Sequence, residues 1–292
     1  MLDLTPVTIV SYPKSGRTWL TVLLGKALCD ALGLGDRELF ELFKGPRQPR
    51  RARRRMPPMT FSHEGASFDA MLAPEQLRAG PPATDGRVVL LVRDPRDVLV
   101  SHYHQLVGRK RFADERDDRA DTPAGQLTRQ EFYDRAQLRT TADGLLLIDS
   151  FLDSPLFGVR KVVHFHRLWA EAVGRMGERA IVVRYEALHE APLRELQRVL
   201  DLAGVDIVRE EHLARAVEFA RFENMRRLEA AGAFSSGTLQ PRGRDSSAFK
   251  TRKGRVGGHL EELTPQQRAR LDDAIASLGD PWYSSPAVSS AS

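Results

Sequence analysis

Lys14, Ser15, Gly16, Arg17 and Thr18 set two cations, two hydroxyls and a glycine side by side between Tyr12-Pro13 and Trp19. These side chains hold anions, since ammonium, guanidinium and hydroxyl groups all donate to oxygen. A β-branched run, Val7 to Val10, precedes them, and Leu20, Leu23, Leu24, Ala27 and Leu28 follow at helical spacing. The stretch reads as strand, turn and helix, so backbone N–H groups and the positive end of a helix dipole point into the same small volume. Phosphate is the natural guest. The nucleoside-triphosphate loop G-x-x-x-x-G-K-[ST] is absent, because Lys14 comes before the glycine. The plainer alternative is a basic turn between two core elements.

Two further basic turns lie far along the chain. Residues 87–92, Arg-Val-Val-Leu-Leu-Val, have the uninterrupted apolar pattern of a strand buried on both faces. Arg93 ends that strand, Asp94 and Pro95 suit the start of a helix, and Ser101 falls about two turns on. Arg93 and Ser101 could take a second phosphate, or Arg93 is a surface residue beside an N-capped helix. Arg252-Lys253-Gly254 lies within a Gly-, Ser- and Arg-rich stretch, 232–258, expected to be flexible and to close over a ligand. One alternating β/α domain could bring all three turns to one sheet edge. His63 belongs at that edge too, since it ends the short strand Met59–Ser62. It reads either as a structural imidazole or as a base, with Glu64 as the neighbouring alternative.

The elements that carry these residues are ordinary. Phe165, Leu168, Trp169, Ala172, Val173 and Met176 recur at helical spacing, which leaves His164 and His166 as helix-surface imidazoles. His102 and His104 read the same way. Ala180 to Arg184 is another apolar strand, leading into Tyr185-Glu186, and a helix carrying Leu193, Leu196, Val199, Leu200 and Ala203 on one face ends at Gly204. Residues 208–221 read as one helix with 222–228 as its loose continuation, and Thr264-Pro265 opens the last helix. The Pro- and Arg-rich stretch 45–58 is expected to be a solvated loop or a lid. Residues 105–145 are expected to make a polar, irregular or partly helical excursion over the active face.

The chain has 292 residues, 41% of them hydrophobic, and carries a formal charge of +5. That charge favours an anionic ligand and is too modest to argue for nucleic acid. Cys29, the sole cysteine, sits in an apolar helical pattern and reads as a core thiol, so no disulfide framework forms. No signal peptide or membrane-length apolar run is read, and a cytoplasmic protein is expected.

The three turns resemble motifs of the cytosolic-type sulfotransferases. Tyr12-Pro13-Lys14-Ser15-Gly16-Arg17-Thr18-Trp19 is similar to that family's 5′-phosphosulfate loop. Arg93 to Ser101 resembles its 3′-phosphate motif, and Arg252-Lys253-Gly254 with Gly257 its C-terminal R-K-G-x-x-G segment. The resemblance implies a single α/β domain over 1–284 with a P-loop-like central parallel β-sheet flanked by helices, and a tail at 285–292. Within that domain 105–145 is the acceptor-side insertion and 232–258 the cofactor-closing segment.

The same resemblance implies 3′-phosphoadenosine-5′-phosphosulfate (PAPS) as co-substrate, the 3′,5′-bisphosphate (PAP) as product, and no metal. Lys14, Ser15, Gly16, Arg17 and Thr18 would hold the phosphosulfate. Arg93 and Ser101, aided by Arg252, Lys253 and Gly254, would hold the 3′-phosphate, and Trp19, Tyr185 and Phe222 would line the adenine. His63 would be the base for a hydroxyl acceptor, and Lys14 would stabilise the leaving phosphate. The chain departs from the pattern at Phe61, Ala220, Lys250-Thr251 and Gly257-Gly258-His259, which points to a bacterial-type relative. A homodimer is left open, since the family's short dimer motif is not evident around Glu261–Gln267. The competing readings are a P-loop kinase or NTPase, and a nucleotide-binding relative without turnover.

Overall fold

The computed structural model describes residues 4–80, 86–110, 112, 124–234 and 254–284. Its sheet is fully parallel and consists of β1 (Val7–Ser11), β2 (Met59–Ser62), β3 (Arg87–Val92) and β4 (Ala180–Arg184), in the order β2-β1-β3-β4. Ile9 pairs with Phe61 on one side and Val89 on the other, and Leu90 pairs with Val182.

The unbroken apolar run of β3 follows from burial on both faces. Val88, Leu90 and Val92 point into one core and Val89 and Leu91 into the other, and all five are fully buried. Each such side chain contributes about 1.5–3 kcal/mol of transfer free energy. On the second face lies α1 (Arg17–Leu32), packed against α9 (Glu210–Phe219), with α8 (Pro192–Ala203) beside them. Across the first face lie α3 (Pro95–Arg109), α6 (Val159–Met176) and α12 (Pro265–Leu278). Chain order reverses between β1 and β3, so the turns leaving these neighbouring strands diverge to opposite faces and open a crevice at the carboxyl edge.

Several expectations fail, for one reason: distant elements cover what local spacing left exposed. Residues 45–58 keep Arg50, Arg53, Arg54 and Arg55 in solvent, as expected, but are not a free loop. They fold into short turns around α2 (Arg50–Arg53), with Ala52 and Met56 fully buried. There Arg51 donates to the carbonyls of Leu32 and Gly33, both at 3.0 Å, and so caps the end of α1. His166 is no surface imidazole, because α12 and the residues after it cover α6, and its Nδ1 meets Asp280 at 2.7 Å with both side chains buried. His102 is likewise buried, stacked on Phe68 at 3.8 Å.

Of the expected excursion 105–145, the part within the described residues is substantially packed. The first residues end α3, and α4 (Arg129–Arg135) inserts Phe132 and Tyr133 into the core. Residues 222–228 belong to a helix of their own, Phe222–Ala230, separated from α9 by Ala220 and Arg221.

Candidate active site

The turn between β1 and α1 is built by two left-handed residues. Lys14 has φ 74° and Gly16 φ 97°. A non-glycine residue in that region is strained, and such strain gathers where a backbone must present its N–H groups in a set direction. Gly16 is also forced by packing, since a Cβ there would stand 2.5 Å from Tyr185 Cδ2. Ser15 is fully buried behind the turn, and its Oγ has no hydrogen-bond partner among the described residues. Arg17 opens α1, and burial lowers its pKa without a compensating carboxylate among the described residues.

Arg93, at the end of β3, ties the segments together. Its guanidinium lies 4.2 Å from the centre of the Tyr185 ring. It donates to the Lys14 carbonyl at 3.2 Å, to Asp97 at 3.1 Å and to the Arg255 carbonyl at 3.1 Å, leaving Nε buried without a partner among the described residues. Asp97 is the second hub, buried one turn into α3. Besides Arg93 it accepts from the backbone N–H groups of Gly257 and His259, each at 2.9 Å, and from His259 Nδ1 at 2.8 Å. Burial alone would raise the Asp97 pKa, but the hydrogen bonds from His259 and the charge of Arg93 hold its carboxyl well below the usual range.

A cavity of about 410 Å³ opens between these parts. Lys14, Gly16, Arg17, Thr18 and Trp19 line it from the first turn, Arg93 and Ser101 from the second, Tyr185 and Phe222 from the far wall, and His63 from β2. Gly254 brings the C-terminal segment in, lying so close to Phe222 that a Cβ would stand 2.4 Å from the ring. Arg252 and Lys253, expected here, lie outside the described residues, as does the tail 285–292. His63 is half-buried, and its Nδ1 is 2.8 Å from the Ser11 carbonyl. A carbonyl only accepts, so Nδ1 carries a proton, and in its neutral form the ring presents Nε2 as an acceptor.

The sequence reading missed His189 and Asp97. His189 lines the cavity, 4.3 Å from the centre of the Trp19 ring and 4.6 Å from that of Tyr185, with Nε2 buried and unpaired among the described residues. Burial first, and then the charge of Arg93, push its pKa down to about 4. Nothing in local spacing marks His189. Asp97 could have been found from its place in the first turn of the helix that Asp94 and Pro95 open, from which a carboxylate reaches back to Arg93.

The family described as "Sulfotransferase domain" matches residues 4–282. The chain belongs to the sulfotransferase family. Cytosolic sulfotransferase 17 of Arabidopsis thaliana is 24% identical to it over 280 residues, 90% of this chain and 71% of the plant protein. Cytosolic sulfotransferase 16 of the same plant is 25% identical over 292 residues, 93% of this chain and 75% of its own. A mouse sulfotransferase solved with PAP superposes with a TM-score of 0.54 at 20% identity, covering 94% of this chain and 84% of that one. Retinol dehydratase solved with retinol and PAP gives 0.52 at 17%, covering 95% and 82%. At these identities the structural likeness speaks for the fold, a P-loop-like α/β sheet. Among the described residues, this sulfotransferase has no helix long and apolar enough to cross a membrane and no cluster of three or more metal-ligating side chains.

Proposed function

We propose that this sulfotransferase takes the sulfuryl group from PAPS and passes it to the hydroxyl of an acceptor, releasing PAP. The observation that carries the reading is that Lys14, Arg93 and Gly254, from three distant segments, line one cavity together with His63. Two anionic ends of one nucleotide need such a set. The residues fit the donor: among the described residues Ser15 Oγ and Arg93 Nε are buried without partners, and Arg17 has no carboxylate beside it. Lys14, Ser15, Gly16, Arg17 and Thr18 would hold the 5′-phosphosulfate, Arg93 and Ser101 the 3′-phosphate, and Trp19, Tyr185 and Phe222 the adenine. Charge-assisted hydrogen bonds of this kind are worth about 1.5–3 kcal/mol each.

When bound, the donor supplies a sulfuryl group activated by its phosphate leaving group. His63 Nε2 takes the proton of the acceptor hydroxyl while the new oxygen–sulfur bond forms. The old sulfur–oxygen bond breaks with its electron pair going to the phosphate, and Lys14 stabilises that growing charge. Positioning and electrostatics do the remainder, as in phosphoryl transfer. The names of the curated relatives support a cytosolic setting.

Incubation with PAPS and mixed hydroxyl acceptors should release PAP. A protein that neither does so nor binds PAP is not this enzyme, and Mg²⁺-dependent ATP hydrolysis would identify a kinase or NTPase instead. His63→Ala should lower kcat by ~10²–10⁴ with PAP affinity unchanged. Equal turnover in that variant would remove His63 as the base.

A further inference from the structure

Tyr12 Oη, Lys161 Nζ and Trp169 Nε1 are buried polar atoms with no hydrogen-bond partner among the described residues. All three residues belong to the core on the α6 side of the sheet. Lys161, Phe165 and Trp169 follow one another at i, i+4 and i+8 on a single face of α6. The Tyr12 ring meets Phe165 at 5.5 Å. Lys161 is the anomaly among them. Its side chain is fully buried, its ammonium makes no ion pair with a described carboxylate, and its nearest aromatic partner is Phe157, with Nζ 5.5 Å from the ring centre. Buried ammonium groups are ordinarily paired or neutralised. Burial brings the Lys161 pKa down to about 8, so the group keeps much of its charge at neutral pH.

Topology places this ammonium at the active edge. The α6 helix runs into β4 through Gly177–Arg179, hence antiparallel to the strands, and its first turn lies at the carboxyl edge where His63 and Lys14 stand. Aromatic rings join the two places. Ser11, which holds His63, precedes Tyr12, whose ring is 5.8 Å from His102. His102 stacks on Phe68 at 3.8 Å, and Phe68 meets Phe157 at 4.8 Å, beside Lys161. Phe68 lies on the segment that leaves β2 through Glu64 and Gly65, both at positive φ.

We infer that the acceptor is a planar hydroxyl compound carrying a carboxylate, its hydroxyl toward His63 and its carboxylate against Lys161, inserted where Phe68 now stacks on His102. The inference rests on the sulfuryl-transfer reading and names the acceptor class of that site. An ammonium offers three donors and no acceptor, so its partner must accept, and only an anionic partner offsets the burial of the charge. The stacked rings favour a flat body over a branched or sugar-like one.

The test is binding to the PAP-loaded protein, read by tryptophan fluorescence. The probes are 4-hydroxyphenyl alkanoates with zero to three methylenes, each paired with its amide. The best acid should bind at least about tenfold tighter than its amide, a difference of ~1.4 kcal/mol. Lys161→Met should abolish that preference by weakening the acid alone, with amide and PAP affinities within about twofold. Lys161→Gln serves in the same way should the Met variant not fold. Wild-type protein that binds acid and amide equally, or binds neither, overturns the inference, as does a preference that survives in the variant. None of these outcomes touches the proposed function, which falls only if PAP itself is neither bound nor released.

Discussion

His63 and His189 line the same cavity with the same ring, and what each nitrogen faces separates their parts. The Ser11 carbonyl fixes the proton on His63 Nδ1 and turns Nε2 into an acceptor. His189, wedged against Trp19 and Tyr185 near Arg93, is held neutral, with its pKa pushed down to about 4. A base whose folded pKa lies below its unfolded value of about 6.5 binds fewer protons folded than unfolded between those two values. Its stabilising part is therefore complete above pH ~6.5 and shrinks as pH falls toward 4. Thermal melts from pH 7 to 4 should show a shallower acid loss in His189→Phe than in the wild type. Parallel curves would mean that His189 does not titrate in this way.

At the scale of elements, Asp97 ties the described part of the C-terminal segment to the cavity wall. Its carboxylate joins Arg93 at the end of β3 to the backbone of Gly257 and His259, just ahead of α11 (His259–Glu262). Asp97→Asn removes the charge from a buried hub, which costs about 3 kcal/mol. Chemical denaturation should show a loss of that order, and PAP affinity should fall by about tenfold as Gly254 and Arg255 leave the cavity wall. Because the Asp97 carboxyl is held below the usual range, its contribution is intact above pH ~4 and is lost only in stronger acid. An unchanged PAP affinity in Asp97→Asn would show that the nucleotide does not depend on this hub. The pattern at 93–97 was legible as strand end and helix start. Its link to a segment about 160 residues on was not, since helical spacing reports neighbours within a turn or two.

For the whole molecule, the crevice between β1 and β3 is where the two halves of the sheet diverge, and the cavity draws on both of its faces. A ligand there joins segments that separate on unfolding, so it binds the folded chain alone. Saturation with PAP at about 100 times its Kd should raise stability by ~2.7 kcal/mol, seen as a higher Tm. Because Lys14, Arg17 and Arg93 supply the positive charge, that shift should persist in EDTA. A Tm gain that vanishes with the chelator would reveal a metal in the nucleotide site.

The chain's own order of residues determined the strand, turn and helix at 7–28, the doubly buried β3, the cationic turns and the position of His63, because each depends on neighbours a few residues apart. Tertiary structure decided the rest. Only packing could bury His102 and His166, draw 45–58 onto α1, pin His189 between two rings and leave Lys161 without a counter-ion among the described residues. The physical reason is that burial and charge pairing are set by which distant surface covers a residue, and that surface comes from another part of the chain.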